Sequence, residues 1–288
     1  MKQSLLNILF SLIAFLIGYG IAFLTGLELI QKAILIAYMI QWIAFIPAYI
    51  FQTEKFYDLT GSITYLSVVS YVCYHSYASM NVNIGNILLA ACILIWTIRL
   101  GSFLFLRIHK AGEDKRFRKI KTSPTRFFMT WTLQGMWVSI CSMCALTAIA
   151  SNKGVVQNGV FYFGLLIFVV GFLFEIIADT QKSNFRKDPK NKDQFIQHGL
   201  WAYSRHPNYF GEITLWTGIA IMSISSLSGG QYLTLISPLF TYLLLVYVSG
   251  VRLLEISGME KWGHLEKYQN YIRSTPSLFP TYPKRPKH

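Results

Sequence analysis

Acidic residues are scarce in this chain: 13 Asp and Glu stand among 288 residues, against 26 Lys and Arg. Charged residues of both signs make up 14%, where a soluble chain carries about a quarter. With 53% hydrophobic residues, 16% aromatics and a mean hydropathy of +0.41, that shortage excludes an ordinary soluble enzyme and points to a membrane. Cysteine is sparse too. Cys73, Cys92, Cys141 and Cys144 all lie in apolar runs, where a free thiol behaves as a small hydrophobe, so no disulfide framework is expected. Cys141 and Cys144 have the CxxC spacing of a redox or zinc site. They fall mid-span with no second pair or nearby His, and read as core packing; no metal site is expected. No GxGxxG follows a strand-like run, which excludes a Rossmann dinucleotide site. With no Pro/Gly/Ser-rich linker and no internal repeat, one membrane domain over 1–260 is expected, followed by a short tail, 261–288.

What the chain has in abundance is apolar length. Runs of about 20 residues, enough to cross a bilayer, occur at 4–24, 29–50, 62–80, 84–108, 127–150, 155–178, 209–226 and 232–254. The run at 62–80 is the weakest, being rich in Tyr and Ser with His75 inside it. The expected fold is therefore an all-α polytopic membrane bundle with seven or eight transmembrane helices. The first run is too long for a secretory signal and has no small-x-small cleavage site after it, so it reads as an uncleaved first span.

The net charge of +13 is concentrated. Of the basic residues, eight lie in 107–126, six in 182–205 and seven in 252–288. With eight spans these regions fall on one side, while the opposite loops hold only Lys153. This is the positive-inside pattern, placing both termini and the basic loops in the cytosol. Such charge also suits anionic membrane lipids. No aromatic-basic interleaving or nucleic-acid module accompanies it, so nucleic acid is excluded as a partner. In the tail, Trp262, Leu265, Tyr268 and Ile272 recur at helical spacing over 260–280, up to Pro276. That pattern predicts an amphipathic interfacial helix.

Three segments mix polar groups into apolar surroundings. Residues 196–218, IQHGLWAYSRHPNYFGEITLWTG, place Arg205, His206, Asn208, Tyr209 and Glu212 where a loop becomes an apolar run. A helix starting near Pro207 puts Asn208 and Glu212 on one face, and a carboxylate one turn inside a membrane segment marks a site. The end of the sixth run carries Glu175 and Asp179 one turn apart, then Lys182 or Ser183, then Arg186: a polar stripe, read either as an ion-pair ladder or as the lining of a cavity. In the fourth run Arg99, Phe103 and Arg107 share a face below Trp96. Arg107 can snorkel to the interface, while Arg99, two turns deeper, needs a partner. Near the end of the last run, Arg252 has Glu255 three residues on as a natural pair.

The run GLWAYSRHPNYFGE, with WTIRL at 96–100 and GEDKR at 112–116, resembles the steroid 5α-reductase superfamily. The likeness is greatest to its bacterial-type, DUF1295-like branch, and more distant to the sterol C14-reductases and isoprenylcysteine carboxyl methyltransferases. It covers roughly residues 90–280. The resemblance implies NADPH as cofactor, held by Asp179, Arg186, Asn208 and Glu212, together with Tyr203 and Tyr209 of the same run and Arg252. Glu175 falls on a cofactor-contacting position that is an amide in the animal steroid enzymes. Arg205 and His206 match the bacterial-type branch and the sterol C14-reductases, and Arg99 and Arg116 belong to its W-x-x-R-L and GED-x-R patterns. Arg116, Arg186 and Arg205 are the expected phosphate contacts, because guanidinium matches phosphate geometry, and NADPH is expected over NADH. The implied reaction reduces the C=C bond of a hydrophobic enone, a 3-oxo-Δ4 steroid or an isoprenoid or sterol-like lipid. Tyr57 and Asp58 are the candidate donors to the developing enolate, or else anchors of the third span. A monomer is expected. The alternatives are an S-adenosylmethionine-dependent methyltransferase of the isoprenylcysteine type and a non-catalytic lipid-binding protein.

Overall fold

The computed structural model describes residues 2–79 and 83–282, except for the side chain of Lys115. The expected basic tail over 283–288 and positions 80–82 of the loop at 80–84 lie outside the described residues. The helices are α1 (Lys2–Leu24), α2 (Glu28–Ile50), α3 (Tyr57–Ala78), α4 (Ile84–Ala111), α5 (Pro124–Ala150), α6 (Gly159–Lys187), α7 (Pro207–Ser223), α8 (Ser237–Leu243), α9 (Val251–Trp262) and α10 (Glu266–Ser274). No strand occurs among the described residues.

The described residues form two compact units, one within 1–162 and 219–237, the other within 163–218 and 238–288. In the first, α5 is the axis: it is buried along almost its whole length, with α1, α2 and α3 packed on it. A helix that is apolar all round belongs inside. Two of its hydroxyls are satisfied locally, Ser139 Oγ donating to Gly135 O at 2.7 Å and Ser142 Oγ to Val138 O at 2.6 Å. Tyr38 Oη donates to Ala14 O at 2.8 Å and ties α2 to α1. The Asn83 side chain accepts from Asn86 N and starts α4, which stops at Gly112, a residue with φ of +78°. In that left-handed conformation a side chain would be strained.

In the second unit α6 and α7 meet backbone to backbone. A Cβ at Gly171 would strike the main chain of Gly211 and Leu215; one at Gly211, the main chain of Gly171 and Glu175; one at Gly218, the main chain of Gly164 and Phe168. Small residues that admit such an approach are the usual glue between membrane helices. Beyond α8, a π-helical turn over Leu244–Val248 and a break at Gly250 lead into α9.

Among the described residues six segments are long and apolar enough to cross a membrane: α1, α2, α4, α5, α6 and Gly229–Trp262. The expected seven or eight requires α3 and α7 as well. Tyr, Ser, Thr and His75 dilute the apolarity of α3, and α7 has 17 residues. The single interfacial helix expected over 260–280 is corrected to two pieces, with α9 ending at Trp262 and α10 beginning at Glu266. Tyr268 is buried against Phe195, Trp262 and Tyr271 rather than laid on lipid.

Candidate functional site

The glycine contacts of the second unit fix which residues of α6 and α7 stand at one level. Gly218 opposes Phe168, and Gly211 opposes Gly171 and Glu175. Continuing the antiparallel ladder, Asn208 lies level with Ala178 and Asp179, and Glu212 with Phe174. Glu175, Asp179 and Glu212 are buried and Asn208 and Tyr209 half-buried, whereas Arg186 and Tyr203 are exposed. Three carboxyl groups inside apolar helices are expensive without an occupant or a partner. Glu175, Asp179, Asn208 and Glu212 thus stand at neighbouring levels of the two helices.

The GLW turn is pinned to the end of α6. Gly199, with φ of +62°, turns the chain over Gln181, whose Oε1 accepts from Leu200 N at 2.9 Å. Trp201 Nε1 donates to Ala178 O at 3.0 Å, and the Lys182 ammonium lies 4.4 Å over the Trp201 ring. Lys182 therefore seats this turn, a contact outside the stripe read along α6.

The residues that open α7 have partners far along the chain. The Arg205 guanidinium closes on Glu255, Nε to Oε1 at 2.8 Å and Nη2 to Oε2 at 2.9 Å. Its Nη1 donates to the carbonyls of Ile272 and Thr275, both at 2.7 Å. His206 Nε2 meets the same Glu255 Oε1 at 3.0 Å, its ring stacks on Tyr209, and its buried Nδ1 has no hydrogen-bond partner. Burial holds the His206 imidazole below its ordinary pKa, outweighing Glu255, which pulls upward and is already neutralised by Arg205. The neutral ring thus donates from Nε2. The fork expected to meet a phosphate is engaged with Glu255, which gives Arg205 a positioning task. Glu255 also leaves Arg252, an exposed residue, without the i,i+3 pair expected for it. Glu255 is the residue that sequence spacing misread.

In the first unit, Tyr57 and Asp58 begin α3. Tyr57 lies between Phe117, tilted to it, and Trp131, edge-on to it, and its hydroxyl donates to Thr130 O at 2.9 Å. Asp58 is partly open and lies 4.0 Å from Arg107. Buried Glu54 organises the loop above them, accepting from Asp114 N at 2.9 Å and from Lys121 Nζ at 2.7 Å. Sequence reasoning passed over Glu54. Burial raises the Asp114 carboxyl, but the Arg116 fork, with contacts of 2.5–3.1 Å, wins and holds it below the usual range. Arg99 lies 5.4 Å over the Phe103 ring, on the face expected for the pair.

The open clefts in the second unit lie elsewhere. One, of about 600 Å³, is bounded by Gln197, Ala202, Glu266, Asn270 and Tyr271; another, of about 240 Å³, by Phe174, Leu200, Tyr203 and Tyr282. Of the expected cofactor residues only Tyr203 lines either one.

Residues 44–275 match the family described as protein of unknown function (DUF1295). The chain belongs to that family. It is also similar to steroid 5-alpha-reductase DET2 of Gossypium hirsutum, 38% identical over 73 residues, 25% of this chain and 28% of the relative. Rattus norvegicus 3-oxo-5-alpha-steroid 4-dehydrogenase 1 is 30% identical over 125 residues, 43% of each chain. Probable O-methyltransferase ustE of Ustilaginoidea virens is 32% identical over 109 residues, 32% of this chain and 38% of the relative. The chain spans less than half the length of each of these relatives. No solved structure matches. These likenesses bear out the resemblance to the steroid 5α-reductase superfamily, and the apolar helices make this DUF1295 protein a multi-pass helical membrane protein.

Proposed function

We propose that this DUF1295 protein is an NADPH-dependent membrane reductase acting on the C=C bond of a hydrophobic enone, a 3-oxo-Δ4 steroid or an isoprenoid or sterol-like lipid. The observation that carries the reading is the set of buried carboxyl groups, Glu175, Asp179 and Glu212, with Asn208 at their level on the α6–α7 pair. Carboxylates and an amide suit a ligand rich in hydroxyl and amide groups, and exposed Arg186 at the end of α6 suits its phosphates. When bound, NADPH supplies the hydride. Arg205 and His206 hold the start of α7 in place, with Tyr209 beside His206. Tyr203, Arg252, Arg99 and Arg116 are secondary candidates for cofactor contact. Reduction of an enone also needs a fixed donor at the carbonyl oxygen, where negative charge develops. Asp58 is the more open of the expected pair; Tyr57, bonded to Thr130, would act by orienting it. Both termini and the basic loops would face the cytosol.

Similarity to the probable O-methyltransferase favours a second reading, an S-adenosylmethionine-dependent membrane methyltransferase. Titrating the purified chain with NADPH, NADH and S-adenosylmethionine separates the two. The expected result is binding of NADPH in preference to NADH, weakened about tenfold to a hundredfold by Asn208→Ala, Glu212→Ala and Asp179→Ala. Unchanged NADPH affinity in all three variants would refute the assignment, and binding of S-adenosylmethionine alone would replace it. If NADPH binds but a panel of steroid and isoprenoid enones is left unreduced, the cofactor assignment stands and the enone chemistry falls.

A further inference from the structure

Three buried hydrogen-bonding atoms along the α2–α3–α5 seam of the first unit have no partner among the described residues: Gln41 Oε1, Gln134 Oε1 and Trp131 Nε1. Gln41, on α2, donates from Nε2 to Thr64 Oγ1 at 2.7 Å, and the Thr64 hydroxyl donates in turn to Thr60 O at 2.7 Å. The Thr64 proton is therefore committed, which fixes the Gln41 amide and leaves its Oε1 as an acceptor. Gln134, on α5, lies where a Cβ of Gly61 would be, three residues before Thr64 on α3. The stem of Gln41 lies against Gly135, the neighbour of Gln134. Both amides thus reach the same stretch of α3, using space left by two glycines. Trp131, one turn before Gln134, crosses Tyr57 edge-on, one turn before Gly61. Around Trp131 the surroundings are apolar, with Phe127, Ala48, Phe45 and Phe56.

Leaving two acceptors and a donor unpaired in such an interior is costly, and the three together specify what would relieve it. Acceptors call for an O–H, and the indole N–H calls for an oxygen. A ketone or an ether offers only the oxygen; a hydroxyl offers its oxygen to the indole N–H and its single proton to one of the two amide oxygens. We propose that the α2–α3–α5 seam binds the hydroxyl end of a lipid alcohol, with the apolar remainder against the aromatic cluster. The site does not depend on any cofactor.

The test is equilibrium binding by the full chain in detergent, without nicotinamide, followed by tryptophan fluorescence. A sterol arm compares cholesterol, its methyl ether and the derived ketone; a straight-chain arm compares dodecanol and dodecyl methyl ether. In at least one arm the alcohol binds roughly tenfold tighter than its ether, because only the alcohol can donate. Gln134→Leu and Gln41→Met bring the two within about twofold of each other. Gly61→Ala, whose methyl meets only the movable Gln134 amide, is the milder check and weakens the alcohol alone. Ether or ketone binding as well as alcohol, a preference that survives both Gln substitutions, or no alcohol binding in either arm would overturn the proposal. In the last case the polar atoms are met by water. Because NADPH is absent throughout, the result stands or falls apart from the reductase reading.

Discussion

In the first unit the buried polar side chains are amides and hydroxyls, such as Gln41, Thr64, Gln134 and Ser139, with Glu54 the ionisable exception among the described residues. In the second unit four of them, Glu175, Asp179, His206 and Glu212, are ionisable, beside the hydroxyls of Ser204, Thr241 and Thr275. The packing differs in the same sense. Gly61 gives room to a side-chain amide, whereas Gly171, Gly211 and Gly218 bring main chain against main chain. Neutral groups can be satisfied by hydroxyls and tolerate adjustment. Buried carboxyl groups need several fixed donors, and a rigid backbone contact holds them to one spacing. The contrast separates a place suited to a mainly apolar molecule from a place suited to a highly polar one.

The largest effect that tests this contrast is expected at the glycines. Gly211→Val drives a side chain into the main chain of Gly171 and Glu175, and is expected to cost about 3 kcal/mol or more. Gly61→Ala moves only the end of Gln134 and should cost less than about 1 kcal/mol. Denaturant titration in detergent measures both; equal losses would erase the distinction. Next come the two arginine forks. Glu255→Ala leaves Arg205, 14% exposed, without its carboxylate, and is expected to cost about 1–3 kcal/mol. Asp114→Ala, beside the well-exposed Arg116, should fall below about 1 kcal/mol. Thermal unfolding that ranks Asp114 above Glu255 would reverse the comparison.

The smallest expected effect is the pH response of the second unit. The imidazole of His206 is held below its ordinary value, so between the two values the unfolded chain binds more protons than the folded one. Stability contributed by the neutral ring is full above about pH 6.5. It declines as pH falls from there, down through the depressed folded value. Unfolding midpoints compared at mildly alkaline and mildly acidic pH should show this loss in the parent chain and a shallower one in His206→Gln. A parallel fall in both would remove His206 from the explanation.

Local chemistry was legible in the sequence wherever a partner lies within one or two turns. The apolar runs, the shared face of Arg99 and Phe103, and the placing of Asp179 and Glu212 within apolar helices all follow from helical spacing. What spacing cannot report is a partner fifty residues away. Arg205 pairs with Glu255, Tyr57 donates to a carbonyl of α5, and Glu54 anchors the loop at 112–121. The tail was misread for a related reason. Its periodic aromatic residues fit one helix on a lipid surface, but Gly263 interrupts it and Phe195 supplies a protein surface for Tyr268.

The glycine ladder between α6 and α7 bears on how this protein responds to its bilayer. Membranes differ in thickness by several ångströms, and a helix pair joined through long side chains can adapt by sliding. Here a slide of even one residue would set a side chain where a glycine now meets main chain, so the pair must tilt as one body. Mismatch is thereby absorbed without changing the separation of Glu175, Asp179, Asn208 and Glu212. The spacing of these four residues is insulated from the composition of the membrane that holds them.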